Sequence, residues 1–161
     1  GGVVWGFSTQ PHYVARFESI TNTTTDGSNL GRFDVWTSSI NMFKDHPVTG
    51  VGIGQWRTIY EASYRLPTEN QHLYHAHNNF IQLLGEVGLL GLLGVLIFYG
   101  SIIVDNFVIW VKKRDPYSLC AMIAVICYVF VFGQVEYTLD NSSGIRIMYF
   151  MLATMLQLRD N

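Results

Sequence analysis

His75-Ala76-His77-Asn78-Asn79-Phe80-Ile81-Gln82-Leu83-Leu84-Gly85-Glu86-Val87-Gly88-Leu89-Leu90-Gly91 decides the fold, because a histidine-rich polar segment runs there straight into a long apolar one. From Asn78 onward the polar residues Asn78, Gln82 and Glu86 recur every four positions, one stripe of a helix, while Phe80, Ile81, Leu83, Leu84 and Val87 cover most of the rest. The pattern predicts a short amphipathic helix over 78–87. Gly88, Gly91 and Gly94 follow at three-residue spacing. They strip side chains from one flank where the chain enters an apolar span, which predicts a bend or a close helix contact. His77 is thereby held at the border between a polar loop and a membrane segment.

Outward from this junction the chain divides in two. Of its 161 residues, 49% are hydrophobic and 14% charged, and the mean hydropathy is +0.22, more apolar than an ordinary soluble domain. Residues 1–86 hold five of the ten Lys/Arg and seven of the twelve Asp/Glu and read as an extracytoplasmic loop region; residues 87–161 read as a transmembrane region. Spans are predicted at about 88–111, 117–135 and 144–158, the last weakened by Arg146. Between them, the loop at 112–116 carries Lys112, Lys113 and Arg114, and the loop at 136–143 carries no positive residue. The first should therefore face the cytoplasm and the second, with His77, the other side. A net charge of −2, with no basic run beyond those three residues, excludes nucleic acid as a partner. Cys120 and Cys127 lie seven residues apart in one apolar segment, about 10 Å along a helix axis, too far to bridge each other. The opening Gly1-Gly2-Val3-Val4-Trp5 reads as the cut end of a preceding segment, so the chain is expected to be a piece of a larger membrane protein.

Upstream, the run Asn22-Thr23-Thr24-Thr25-Asp26-Gly27-Ser28-Asn29 favours exposed loop. Phe33, Trp36, Ile40 and Phe43 then recur at spacings of three and four and predict an amphipathic helix over about 32–45, ended before Pro47. Gly50, Gly52 and Gly54 alternate in a segment flexible enough to pass close to a ligand. A helix over about 55–64 carries Trp56, Ile59, Tyr60 and Ser63 on one side, and residues 65–76 form a loop that delivers His77.

Several residues carry candidate chemistry, each beside a plainer role. A loop histidine is ordinarily solvated and idle. An imidazole, whose ordinary pKa lies near ~6.5, can instead take a proton from an incoming hydroxyl at a membrane surface, with Asn78 or Glu86 to orient it. His72, His75 and His77 also resemble metal ligands, but they match no helix-borne zinc pair and no cysteine joins them, so no metal is assigned. Gly50-x-Gly52-x-Gly54 lacks the Lys-Ser/Thr of a phosphate loop and reads as a tight turn. Among the cations outside the spans, Arg32, Arg57 and Arg65 are able to grip a phosphate with paired hydrogen bonds or simply to sit at the surface. Asp105 and Arg146, inside predicted spans, are functional or lie where water reaches them.

His77-Asn78, nine residues, Gly88, two residues and Gly91 resemble the H-N-x9-G-x-x-G signature of the O-antigen ligase and polymerase superfamily. Arg32-Phe33-Asp34-Val35-Trp36 and His46-Pro47-Val48-Thr49-Gly50-Val51-Gly52 are similar to its arginine-tryptophan helix and H-P-x-x-G-x-G segment. The resemblance covers about residues 16–110. It implies an all-α integral membrane protein of GT-C-like layout, here a large extracytoplasmic helical loop followed by three transmembrane helices. It further implies a glycosyltransferase of the bacterial inner membrane, multi-pass, with its site facing the periplasm or cell exterior. The donor would be an undecaprenyl-pyrophosphate-linked glycan, and the acceptor lipid A-core or a growing glycan, with no metal and no cofactor. By the same resemblance His77 engages the acceptor hydroxyl and Arg32 binds the donor pyrophosphate. Asn78, Gln82, Glu86, Arg57 and Arg65 are left as substrate-binding candidates, and Gly50, Gly52, Gly54, Gly88 and Gly91 as structural motif. A further family arginine in an R-x-x-x-L pattern has no match at Arg16 or Arg65, so this piece alone is expected to be inactive. Two other classes stand beside the transferase. A transporter or flippase component would pair ionisable residues across its spans, and a non-catalytic scaffold in the lipid bilayer would tolerate loss of His77.

Overall fold

The computed structural model describes residues 27–69 and 73–160. Among them every regular element is helical. α1 is Gly27–Asp45; α2 is Trp56–Ile59, continued by a π-helical turn Tyr60–Tyr64; α3 is Asn79–Lys113. α4 is Pro116–Val125, continued by a π-helical stretch Ile126–Val131 and a 3₁₀ turn Phe132–Gln134, and α5 is Ser142–Asp160.

α1 packs on a different stripe from the one its large apolar residues predict. Val35, Ser38, Ser39 and Met42 are fully buried, whereas Phe33 is 49% exposed. The serines win because they are small and can pair. Ser38 Oγ donates to Tyr64 O at 2.8 Å, Ser39 Oγ donates to Val35 O at 2.8 Å, and Trp56 Nε1 donates to Ser39 Oγ at 3.2 Å. A side chain at Gly85 would meet both Ser39 O and Trp56 Nε1, so α1 and α3 approach closely there. Trp56 and Tyr60 stack at 4.7 Å and complete a core with Val35, Met42 and Ala76.

The predicted short helix over 78–87 and the span that follows are one element, bent at Gly88 (φ 65, ψ −163). A bend there deprives Gly85 and Glu86 carbonyls of their helical donors, and Leu89 and Leu90 of their acceptors. The glycine segment supplies both sets. Val51 N–H donates to Gly85 O (3.0 Å) and Gly52 N–H to Glu86 O (2.8 Å), while Leu89 and Leu90 N–H donate to Pro47 O (2.9 Å) and Val48 O (3.1 Å). The two glycine motifs thus meet each other: Gly50 (φ 63) lies against the Glu86 backbone, and Gly88 against Val48 and Gly50.

Among the described residues two helices are long and apolar enough to cross a membrane, Asn79–Lys113 and Pro116–Gln134, with mean hydropathies of 2.5 and 2.0 over an 18-residue stretch of each. They pack through Tyr99, Ala121, Val125 and Val129 against Met148 and Leu152 of α5, and turn Leu90, Ile97, Val104 and Phe107 outward. The predicted third span forms as α5 but is not one of the two. Arg146, Gln157 and Arg159 lower its apolarity, and the Arg146 guanidinium curls back to Ser142 O at 2.5 Å.

Candidate functional site

The loop Tyr74–Asn78 is fastened from two sides. Trp36 Nε1 donates to Ala76 O at 2.7 Å, and Ala76 N–H donates to Gln82 Oε1 at 2.8 Å. Asn78 caps α3, its Oδ1 accepting from Phe80 N (2.9 Å) and Ile81 N (3.1 Å). Held in this way, His77 adopts the left-handed region (φ 49), unusual for a residue with a β-carbon. His75 and His77 come face to tilted face, ring centroids 4.1 Å apart.

Both imidazoles reach Glu136, from the segment after α4. His77 Nδ1 lies 3.2 Å from Glu136 Oε2, and His75 Nε2 lies 3.4 Å from Glu136 Oε1. The histidine loop is therefore docked on the end of the second membrane helix by more than packing. Asn78 Nδ2 donates to Gln134 O (3.1 Å). Buried Asn79 donates to Val129 O (3.0 Å) and Thr138 Oγ1 (2.8 Å), and accepts from Thr138 N–H (2.8 Å). Burial, then the neighbouring His77, pushes the His75 pKa down, against the pull of Glu136 and Asp140. Burial acts to raise the Glu136 pKa, but the hydrogen bond with His77, a backbone donor and both histidines bring it below the ordinary carboxylate range. A carboxylate that stays charged beside two imidazoles can hold their tautomers.

Beside His75 opens a cleft of about 410 Å³, lined by Gly54, Arg57, Tyr74, Glu86, Tyr137 and Asp140 among others. Arg57 lies 4.2 Å over the Tyr74 ring and pairs with Glu61 at 3.1 Å, leaving it at the cleft wall. Burial and the Glu86 carboxylate push the Tyr137 phenol up, so it remains a donor.

The structure separates the sequence-predicted residues by task. Asn78, Gln82 and Glu86 are 5%, 3% and 8% exposed and tie loops to α3, Glu86 Oε1 accepting from Gly54 N–H at 2.5 Å and Oε2 from Gln82 Nε2 at 3.0 Å. Gln82 and Glu86 also reach the cleft. Arg32 stands half-buried on α1, one turn before Trp36 and so on the flank that meets the His77 loop. Arg65 bonds to Glu69, through Nη2 to the carbonyl at 3.2 Å, and does not line the cleft. Asp105 is exposed, and His72 lies outside the described residues.

The O-antigen ligase family pattern matches residues 2–96, more than half of the chain. This chain belongs to the O-antigen ligase family. The exopolysaccharide production protein ExoQ of Rhizobium meliloti (strain 1021) is similar to it, 27% identical over 136 residues that cover 78% of this chain and 30% of ExoQ. The chain thus spans about 30% of the length of that curated relative. Family membership and the two apolar helices make this O-antigen ligase family chain part of a bacterial membrane protein. Glu136, Tyr137 and Asp140 lie beyond the matched residues, and no spacing in the sequence links position 136 to position 77. The available signal was arithmetic: two antiparallel helices return the chain to the level it left, so the segment after α4 must lie near the start of α3.

Proposed function

We propose that the full-length protein is a metal-independent glycosyltransferase that moves a polysaccharide or oligosaccharide from an undecaprenyl-pyrophosphate carrier to an acceptor hydroxyl, and that this chain holds its acceptor-activating histidine and an arginine for the donor's pyrophosphate. His77 takes the proton of the hydroxyl as its oxygen bonds the anomeric carbon of the donor; the bond from that carbon to the pyrophosphate oxygen breaks, and undecaprenyl pyrophosphate leaves with the electron pair. Arg32 pairs with pyrophosphate oxygens and stabilises the leaving charge. Since the leaving group is already activated, most of the work is positioning. The observation that carries this reading is the 2.7 Å bond from Trp36 to Ala76 O, which joins the helix of Arg32 to the residue beside His77. In this reading residues up to about 86 face the periplasm or cell exterior and the later helices lie in the inner membrane.

The acceptor is lipid A-core in an O-antigen ligase. A growing glycan is the second reading, favoured by the exopolysaccharide production named for ExoQ. Complementation with the full-length gene, wild type against His77→Ala and Arg32→Ala, tests both. Restoration of surface polysaccharide in a ligase-deficient host, lost in each variant, supports ligation. Restoration only in a polymerase-deficient host makes it a polymerase. Variants as active as wild type remove the mechanism and favour a scaffold or a transporter part.

A further inference from the structure

We infer that Glu136 is the positioning residue of this site, fixing the tautomer of His77 so that Nε2 is left unprotonated to receive the acceptor's proton. The inference rests on the reading of His77 as the base. The His77 backbone N–H donates to His75 Nδ1 at 3.3 Å, so a neutral His75 carries its proton on Nε2, the atom 3.4 Å from Glu136 Oε1. Oε1 also accepts from Tyr137 N–H at 3.0 Å. With two donors on Oε1, the remaining oxygen, Oε2, faces His77 Nδ1 at 3.2 Å. An ionised carboxylate only accepts, so the nitrogen facing it is the protonated one, and a neutral ring then presents its lone pair at Nε2. The His77 side chain keeps 22% of its surface exposed, so the ring is not sealed from a substrate.

Both partners are anchored by bonds other than those between them, which makes the spacing a built one. The histidine loop is held by Trp36 and Gln82, and the segment bearing Glu136 by the bonds of Asn78 to Gln134 and of Asn79 to Thr138. The same three side chains bring ligand atoms within 4.8 Å of one another, a set that would also suit zinc. The tautomers argue against that use. A ligating histidine passes its other ring N–H to an acceptor, whereas His75 Nδ1 is itself accepting. In the reaction the proton moves from the acceptor oxygen to His77 Nε2, the imidazolium forms beside Glu136, and the carboxylate keeps its charge without taking the proton.

The test compares wild type, Glu136→Gln, Glu136→Asp and His77→Ala as purified full-length gene product in detergent, with a lipid-linked glycan donor and its acceptor. Glu136→Gln preserves size and the capacity to accept from Tyr137, so it should accumulate as a folded protein, melting somewhat below wild type because the carboxylate's charge is gone. Its kcat should fall about 100-fold or more, the range for a general base that is wrongly posed, at unchanged acceptor KM. Glu136→Asp should recover part of the loss. Full activity of Glu136→Gln beside an inactive His77→Ala overturns this inference alone. Full activity of His77→Ala overturns the functional reading beneath it. Loss of wild-type activity on chelation, restored by zinc, overturns it in favour of a metal site.

Discussion

At the scale of single residues, the histidine and carboxylate cluster ties the protein's stability to pH as well as its chemistry. The folded His75 has a pKa below 6.5, because burial and His77 both penalise its charge. Between that lowered value and 6.5 the unfolded chain binds a proton that the folded chain refuses, so acidification through this window favours unfolding. Glu136 has its pKa held below 4.5, so the stability it contributes is present above that pH and is lost as the pH falls through the lowered value. Both groups make acid destabilising, in separate windows. Thermal melts of the full-length protein in detergent should therefore fall first just below pH 6.5 and again below about pH 4.5. His75→Gln should flatten the first decline and spare the second. A melting temperature that is level from pH 7 to pH 5 in wild type would contradict the burial of His75.

At the scale of elements, the bend at Gly88 organises everything that surrounds the site. The helix gives up its own hydrogen bonds there, and the segment from Pro47 to Gly52 takes them over, which locks the loop region onto the first membrane helix. The φ and ψ of Gly88 lie in a region essentially reserved for glycine, and a β-carbon would sit 2.6 Å from Gly50 N and from Val48 C and O. Gly88→Ala should cost about 3 kcal/mol or more, from backbone strain and overpacking together. Gly94 has open space around it in the same helix, so Gly94→Ala should melt level with wild type or gain up to ~1 kcal/mol. Melting curves of the two variants side by side check this, and equal melting points would deny the bend its structural role. The sequence made the bend legible, because three glycines at a span's entrance have few other uses. It did not reveal which backbone would fill the gap, since the pairing of residues 47–52 with 85–90 is tertiary. Nor did it reveal the buried stripe of α1, where Ser38 and Ser39 displace Phe33 because close approach and paired hydroxyls outweigh apolar area.

At the scale of the whole molecule, the site and the basic loop lie at opposite ends of the same helix. From Gly88 to Lys113 α3 runs on for about 39 Å at 1.5 Å per residue, enough to traverse a bilayer's hydrocarbon core. Lys112, Lys113 and Arg114 close its far end, while His75, His77, Glu136 and Asp140 gather where the chain enters it and where it returns. His77 was legible from its own motif, but its partner was not, because position 136 is brought back only by the antiparallel return of α4. If the basic end faces the cytoplasm, as the positive-inside tendency requires, the cluster must open on the other side, where a carrier-linked glycan would be presented. Cysteine labelling of the full-length protein decides this. Cys120 and Cys127 are exposed on the bundle and would first be replaced by alanine, after which Asp140→Cys and Lys113→Cys, both exposed positions, supply one reporter at each end. A membrane-impermeant maleimide added to intact cells should label position 140 and leave 113 unlabelled until lysis. Labelling in the reverse order would put the histidines in the cytoplasm and would separate them from any donor on the outer leaflet, whatever the chemistry of the cluster.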